Sequence, residues 1–597
     1  MSEPTRPIHQ PTVDTDGSLV AHTVATPKSF KVRAKITVGS RKVIPVIFVP
    51  GIMGTNLRAR AAKSEERGTT SPNSYRRAAG QSAGEPHSAK IDRSQDFETG
   101  DDDPAWRAPN GVIEGLREAR KWKRRTPATR QRILNPSALE VDASGDLGEI
   151  AGLSQAELRA RGWGEIHRDS YWEVLEKLQT YLDTTFRTGK RGEREIRVHW
   201  KRVMQCDPKS WGVRSIARVT VAELETFAGF QYPVYAVGYN WLESCAVSAQ
   251  RLSRRIDEIK AFWRSRKHEC ERVILVTHSM GGLVARACAR LRATNTTDPA
   301  DIAGIIHGVM PALGAPVAYR RIACGTESER YANDIIDNVK ANRFAEIAGT
   351  TASETTAVMA TAPGALELLP NHLYPKPWLL VKTLTRVDDT DKEHQVLALP
   401  TGNPYDLYRD MQSWYRLIDP GLADPAGLHK SKPDSIQEVV RKAIDSAEHF
   451  HRTIIGVPAN KSENAEDKPY YHPNTYVFYG ADEERRTYGT VRWSTRISAG
   501  QGIALTPANT RSARLVGQTP DGAREVVIEG RVKLRLSVWG QDASGDDTVP
   551  SQSSAGAAPH VRGIYAARGF GHQDSFTNDA MLLLTRHLIV KIVQGIK

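Results

Sequence analysis

The segment ERVILVTHSMGGLVARACARL restricts the fold more than any other part of the chain. Val273 to Val276 form an unbroken apolar run, which is how a strand covered on both faces of a parallel sheet reads. The run stops at Thr-His-Ser-Met-Gly-Gly, and the apolar period then becomes helical. Leu283, Val284, Ala287 and Cys288 fall on one helical face, with Arg286 and Arg290 directed elsewhere. A serine at such a strand-to-helix apex sits on a strained turn, with its hydroxyl raised above the end of the sheet. The helix N-terminus beside it offers N–H groups and a positive dipole end to developing negative charge. Gly281 suits the close approach of strand and helix. Thr277 stands where the common G-x-S-x-G pattern has glycine, and a β-branched residue fits that position less well. Ser279 is therefore the expected nucleophile. The alternative is an accidental Ser-x-Gly between a strand and a helix.

Further core elements surround this unit. RKVIPVIFVPGIMGTNL places a buried strand over Val43–Val49 ahead of a Pro-Gly reversal. YPVYAVGYNW predicts a second strand, followed by an amphipathic helix over ESCAVSAQRLSRRIDEIKAFW, and AGIIHGVMPALGAP predicts a strand after the elbow helix. Strands alternating with helices at this spacing specify a mostly parallel sheet with helices on both faces. A helix is also expected in HRDSYWEVLEKLQTYLDTTF, where Tyr171, Val174, Leu175, Leu178 and Leu182 lie near helical spacing and Asp169 is a suitable cap.

The resulting organisation is a loose tail over 1–40, the start of the core over 41–60, and a polar insertion over 61–110 too poor in apolar residues to pack. A first cap insertion follows over 111–230, then the core with the elbow over 231–317. A second cap or lid covers 318–530, and a C-terminal core segment covers 531–597. In that last segment VKLRLSVWG reads as a strand, GDDTVP as a loop and AMLLLTRHLIVKIV as the closing helix.

An activated serine needs a base, an acid to orient the base, and N–H donors for the oxyanion. For this strand-helix arrangement the order along the chain is nucleophile, acid, histidine. GDDTVP supplies Asp546 and Asp547, and RGFGHQDSF supplies His572 just before the closing helix, with His560 as the fallback. His278, next to the serine, cannot easily turn back onto it and is expected to pack beside the elbow. The Met280 N–H follows the nucleophile directly, and the glycine-rich turn VPGIMG offers the Ile52 N–H, with Met53 second. No step of this chemistry calls for a metal or cofactor.

Composition narrows the setting. The 597 residues carry 82 Lys+Arg against 69 Asp+Glu, a net charge of +13. The charges are mixed along the chain, with no basic stripe or stacking motif for nucleic acid, so a solvated mixed-charge surface is the plain reading and anionic lipid the alternative that a basic surface would favour. Five scattered cysteines with no C-x-x-C spacing fit neither a disulfide framework nor a structural zinc site. The polar N-terminus has no signal-peptide core, and no stretch reaches the roughly 20 apolar residues of a membrane span. These features lead to the expectation of a protein made in the cytoplasm and, if exported, exported by a route that reads no signal peptide.

VPGIMGTNL, the Tyr239–Trp241 segment, THSMGGLVARA, Gly314–Pro316, GDDTVP and GHQDSF occur in the order seen in lecithin–cholesterol acyltransferase-like lipases. The set also resembles the neighbouring lipases that deacylate glycosylphosphatidylinositol. The resemblance covers the expected core and not the insertions. It implies an α/β-hydrolase fold, and it transfers the acid role to Asp546 rather than Asp547. The length, the missing signal peptide and GVMPALGAPVAYRR are similar to bacterial type VI secretion lipase effectors, toxins that attack phospholipids of rival cells. That similarity implies an immunity protein or a secretion-machinery partner. The function so implied is a serine lipase or phospholipase. A soluble esterase or transacylase acting on a small substrate, and a non-catalytic binding protein on the same fold, are the alternatives.

Overall fold

The computed structural model describes residues 12–13, 19–20, 40–60, 104–188, 193–295, 301–327, 345–387, 390–430, 435–457, 468–496 and 504–596. Most of the N-terminal tail, and residues 61–103 of the expected polar insertion, lie outside the described residues.

Six parallel strands form the central sheet, in spatial order Gly563–Ala567, Thr475–Gly480, Ile302–Gly308, Val273–His278, Val46–Val49 and Val234–Ala236. The elbow strand Val273–His278 is buried over its whole length and runs between Val46–Val49 and Ile302–Gly308. Alternation along each strand divides the core in two, because successive side chains point to opposite faces. Ile47, Val49, Val273 and Leu275 meet Leu252, Ile256, Leu283 and Val284 of the helices Cys245–Ser265 and Gly281–Asn295. Val46, Phe48, Ile274 and Val276 meet the helices Arg168–Leu182 and Asp579–Val593.

Helix Arg168–Leu182, expected within the first cap, thus belongs to the back layer of the core. Its stripe of Tyr171, Val174, Leu175, Leu178 and Leu182 is fully buried there, and so are Trp200, Leu224 and Phe227 farther along the same segment. The helix begins after His167, and Asp169 lies within its first turn instead of capping it. Asp169 accepts a hydrogen bond from the Gly111 N–H and thereby ties the helix Gly111–Arg124 to this one.

The second insertion builds a separate layer. Its sheet runs Thr390–Leu399, Leu379–Val387, Val491–Arg496, Val532–Val538, Arg524–Ile528 and Arg514–Gln518, with one parallel pair among antiparallel ones. It packs around Trp378, Trp414 and Trp493 and the helix Ile436–His449. Two strand assignments change as a result. Val532–Val538, expected in the core, belongs to this cap sheet, and Thr475–Gly480, within the expected cap, is a central strand. The reason is in their side chains. Lys533, Arg535 and Ser537 alternate outward, as in a half-covered antiparallel strand, whereas TYVFYG is almost continuously buried.

A buried ion cluster braces the front layer. Arg292 Nε lies 3.1 Å from both carboxylate oxygens of Asp301, and Lys260 Nζ is 3.0 Å from Oδ2. Burial alone would push the Asp301 carboxyl up, but the two cations outweigh it and hold the group below its usual value. The carboxylate of Glu367 binds the first turn of Cys245–Ser265, accepting from the Cys245 N–H at 2.8 Å, and so anchors the second insertion to the core. No helix among the described residues is long and apolar enough to cross a membrane.

Candidate active site

Ser279 occupies the turn between Val273–His278 and Gly281–Asn295 with φ 52°, in the left-handed region that costs energy for a residue with a side chain. Two neighbours make the turn possible. A Cβ on Gly281 would come within 2.4 Å of the Pro50 carbonyl oxygen and 2.5 Å of that of Val49, so only glycine lets the elbow helix start against the first strand. Thr277 is fully buried, and its hydroxyl lies 2.8 Å from Nδ1 of His307 on the adjacent strand. The threonine that departs from the common pattern is thereby accommodated by a polar partner on the neighbouring strand.

His572 Nε2 lies 2.8 Å from Ser279 Oγ, and its Nδ1 is 2.9 Å from Asp546 Oδ2. A carboxylate only accepts, so Nδ1 carries the ring proton, Nε2 is bare, and the serine hydroxyl donates to it. Asp546 is fixed in turn. Its Oδ1 accepts from the Val549 N–H at 2.7 Å and the Thr548 N–H at 3.2 Å, and its carbonyl accepts from the His572 N–H at 2.7 Å. Gly480, at the end of a central strand, permits this approach, since a Cβ there would lie 2.6 Å from that of Asp546. Reading Thr475–Gly480 as a central strand would have found this glycine.

Asp547 makes no hydrogen bond to the histidine, whose Nδ1 is taken by Asp546. It adopts φ 75°, pairs with Arg485 at 3.3 Å and leaves its buried Oδ1 without a hydrogen bond. Burial pushes its carboxyl up to about 7; Arg485 opposes the rise and Asp546 adds to it. His560 stacks on Tyr471, with ring centroids 5.9 Å apart, and makes no hydrogen bond with Ser279 or Asp546.

The first strand ends in the turn Pro50–Gly54, where Met53 takes φ 61° and the Gly54 N–H donates to the Gly51 carbonyl. Among the described residues, the Ile52, Met53 and Met280 N–H groups donate to no other group. They remain available for an oxyanion.

A second chain of hydrogen bonds joins this turn to the base, through residues that sequence reasoning had not connected. His278 Nε2 is 2.9 Å from the carbonyl oxygen of His572 and its Nδ1 is 3.0 Å from the Tyr171 hydroxyl, which is 3.1 Å from the Gly51 N. Burial, with the neighbouring His572, pushes His278 down to about 3, so its ring is neutral. A carbonyl can only accept, so the His278 proton is on Nε2 and Nδ1 accepts from Tyr171. Burial raises the tyrosine to about 12, so it keeps its proton, while its oxygen accepts from Gly51. The direction of every bond in this chain is fixed by those at its ends. His278 thus packs beside the elbow, as expected, and also links the base to the first turn.

Arg286, expected off the apolar face, is instead buried. Its Nε donates to the Tyr470 carbonyl at 3.1 Å, and its guanidinium sits 4.0 Å from the centroid of the Tyr471 ring. All five cysteines are buried and unpaired.

Residues 230–367 match the family model of the PGAP1-like alpha/beta domain, a span that holds Ser279 but neither Asp546 nor His572. Over 93% of this chain, and 99% of the other, the structure is similar to one solved as the crystal structure of the Tle4–Tli4 complex, with 25% identity and a TM-score of 0.66. Phospholipase PlaB from Legionella pneumophila aligns over 60% of this chain and 78% of its own at 10% identity, with a TM-score of 0.14 that carries no weight. No curated protein matches the sequence. The architecture is α/β-hydrolase-like, with a six-stranded parallel sheet and additional insertions.

Proposed function

We propose that this chain is a serine hydrolase that cleaves carboxylic ester bonds of membrane phospholipids, and that it acts as an effector lipase of the type VI class. The observation that carries the reading is the continuous line Asp546–His572–Ser279 beneath a turn with free N–H groups. In the first step His572 Nε2 takes the hydroxyl proton as Ser279 Oγ attacks the ester carbonyl. The Ile52 and Met280 N–H groups receive the oxyanion, and Asp546 holds the imidazolium in place. When the intermediate collapses, the ester C–O bond breaks and His572 returns its proton to the departing alcohol. Water then repeats the sequence on the acyl-enzyme, releasing the fatty acid and the free serine.

The neutral state of His278 suits this cycle. Its ring centroid lies 5.1 Å from that of His572, and two imidazolium ions at that distance would repel each other. Ser279 is only 4% exposed, and this reading takes the insertions as the cap that uncovers it at a lipid surface. Likeness to Tle4 across nearly the whole chain supports the effector reading, and the capture of Tle4 with Tli4 supports a cognate protein partner here.

The test is fatty-acid release from mixed phosphatidylethanolamine–phosphatidylglycerol vesicles by the purified chain and by Ser279→Ala. Release confined to the parent chain is the expected result. Cleavage of a short soluble ester with silence on every phospholipid would replace the lipase reading with that of a soluble esterase.

A further inference from the structure

The helix Gly111–Arg124 has an unusual outer face. Its inner side is held by Ala119 and Trp122, and Trp122 packs against Trp106 with ring centroids 5.7 Å apart. At 100° per residue the opposite side carries Ile113, Leu116, Arg117, Arg120 and Arg124. Ile113 is 77% exposed and Leu116 42%. The solvent-facing stripe is therefore apolar in its first turns and cationic beyond. Arg117, Arg120, Lys121, Lys123 and Arg124 all stand exposed; Lys121 pairs with Glu118 and Lys123 with Glu346, while the three arginines lie along the outer stripe.

The apolar end of the helix is fastened to the candidate active site. The Gly111 N–H donates to Asp169, and His167 Nε2 lies 3.1 Å from the Pro109 carbonyl oxygen. The His167 N–H donates to the Gly54 carbonyl at 2.9 Å, while Trp106 Nε1 donates to the Met53 carbonyl at 2.9 Å. Ile113 and Leu116 thus project from a helix bolted to the turn that offers the oxyanion donors.

We infer that this outer face is the surface by which the protein docks on an anionic lipid bilayer, with Ile113 and Leu116 entering the interface and the arginines lying along the lipid phosphates. Charge complementarity selects the occupant. Arg117, Arg120 and Arg124 on the outer stripe attract an anionic surface, and apolar side chains confined to one end of the same stripe need an apolar medium just below it. Long arginine stems let the guanidinium groups reach phosphate while the helix end goes deeper. The inference rests on the lipase reading, since it brings the lipid to the same turn.

The experiment uses the full chain carrying Ser279→Ala, so that no lipid is consumed, and measures flotation with vesicles of phosphatidylcholine alone or with 30% phosphatidylglycerol. Binding is expected to favour the anionic vesicles and to weaken with salt. Ile113→Glu with Leu116→Glu should weaken it at least tenfold, and Arg117→Gln, Arg120→Gln and Arg124→Gln together should flatten its salt dependence. Thermal melts establish that both variants are folded. Equal binding by parent and variants, or no preference for the anionic vesicles, would overturn the inference, as would binding only to an acidic protein partner. If the Ser279-intact chain cleaves no ester while Ser279→Ala docks through Ile113 and Leu116, the docking surface stands and the lipase reading falls.

Discussion

Tyr171→Phe removes one oxygen atom from the back layer and should disturb the site without opening a cavity. The ring keeps its contact with Phe48, 5.1 Å between centroids. The lost hydroxyl leaves two buried groups without their partner, the Gly51 N–H and His278 Nδ1, besides releasing the exposed Gln573 side chain. Each buried polar group left unsatisfied costs about 1–3 kcal/mol, and both lie where water enters poorly. A total of about 2–6 kcal/mol is expected, divided between global stability and local displacement of the turn. The turn carries the Ile52 N–H. Loss of a complete oxyanion donor costs about 10²–10³ in kcat, so partial misplacement should lower kcat about tenfold. KM should change little, because the removed oxygen meets the Gly51 N–H and His278 in the buried layer behind the turn. Urea unfolding of the Ser279→Ala background measures the first quantity, and steady-state hydrolysis of a short-chain p-nitrophenyl ester measures the second. An unchanged urea midpoint together with an unchanged kcat would refute the hydrogen-bond chain as a support of the site.

Further expectations follow from neighbouring groups. The Asp547 carboxyl is raised to about 7 from 3.8, so the fold favours its neutral form and its contribution to stability declines as pH rises from 3.8 through 7. Asp547→Asn should therefore match the parent near pH 4 and exceed it by about 1–3 kcal/mol at pH 8 in urea unfolding; the reverse trend would contradict the assignment. Asp301 is depressed, so its contribution is present above about pH 4 and is lost as pH falls through the lowered value. Asp301→Asn leaves Lys260 buried without its counter-charge and Arg292 paired with Asp257, and should cost about 3–5 kcal/mol at pH 7 by the same measurement. Gly281→Ala should force the elbow helix away from the Pro50 carbonyl and abolish ester hydrolysis while leaving the chain folded by circular dichroism; retained activity would show that the strand can move.

The elbow and its two neighbouring strands were readable because a fully buried parallel strand leaves a continuous apolar run that ends in glycine. The same rule marks TYVFYG as a core strand, but the segment lies beyond long polar stretches, and chain distance hid it. VKLRLSVWG misled in the opposite way, since alternating Lys533, Arg535 and Ser537 describe a one-sided strand of the cap sheet. Position in the chain did not reveal its sheet. Ser279, Asp546 and His572 stand together because three loops converge at the carboxyl ends of parallel strands, a property of the topology that motif order reflects. The Tyr171–His278 chain left no such trace. His278 was visible as the residue beside the serine, yet nothing in the spacing says that a helix residue more than a hundred positions earlier meets it. Arg286 shows the limit of helical-face reasoning. A long side chain off the apolar stripe can still be buried when another segment supplies carbonyls and an aromatic ring.

The most direct measurement is covalent. A long-chain alkyl fluorophosphonate, delivered in mixed micelles, should form one phosphonyl ester on the peptide that contains Ser279, detected by mass spectrometry after digestion. Labelling should be lost in Ser279→Ala and strongly slowed in His572→Ala. An adduct on any other serine, or none under conditions that label a control lipase, would contradict the assignment of Ser279 as the nucleophile.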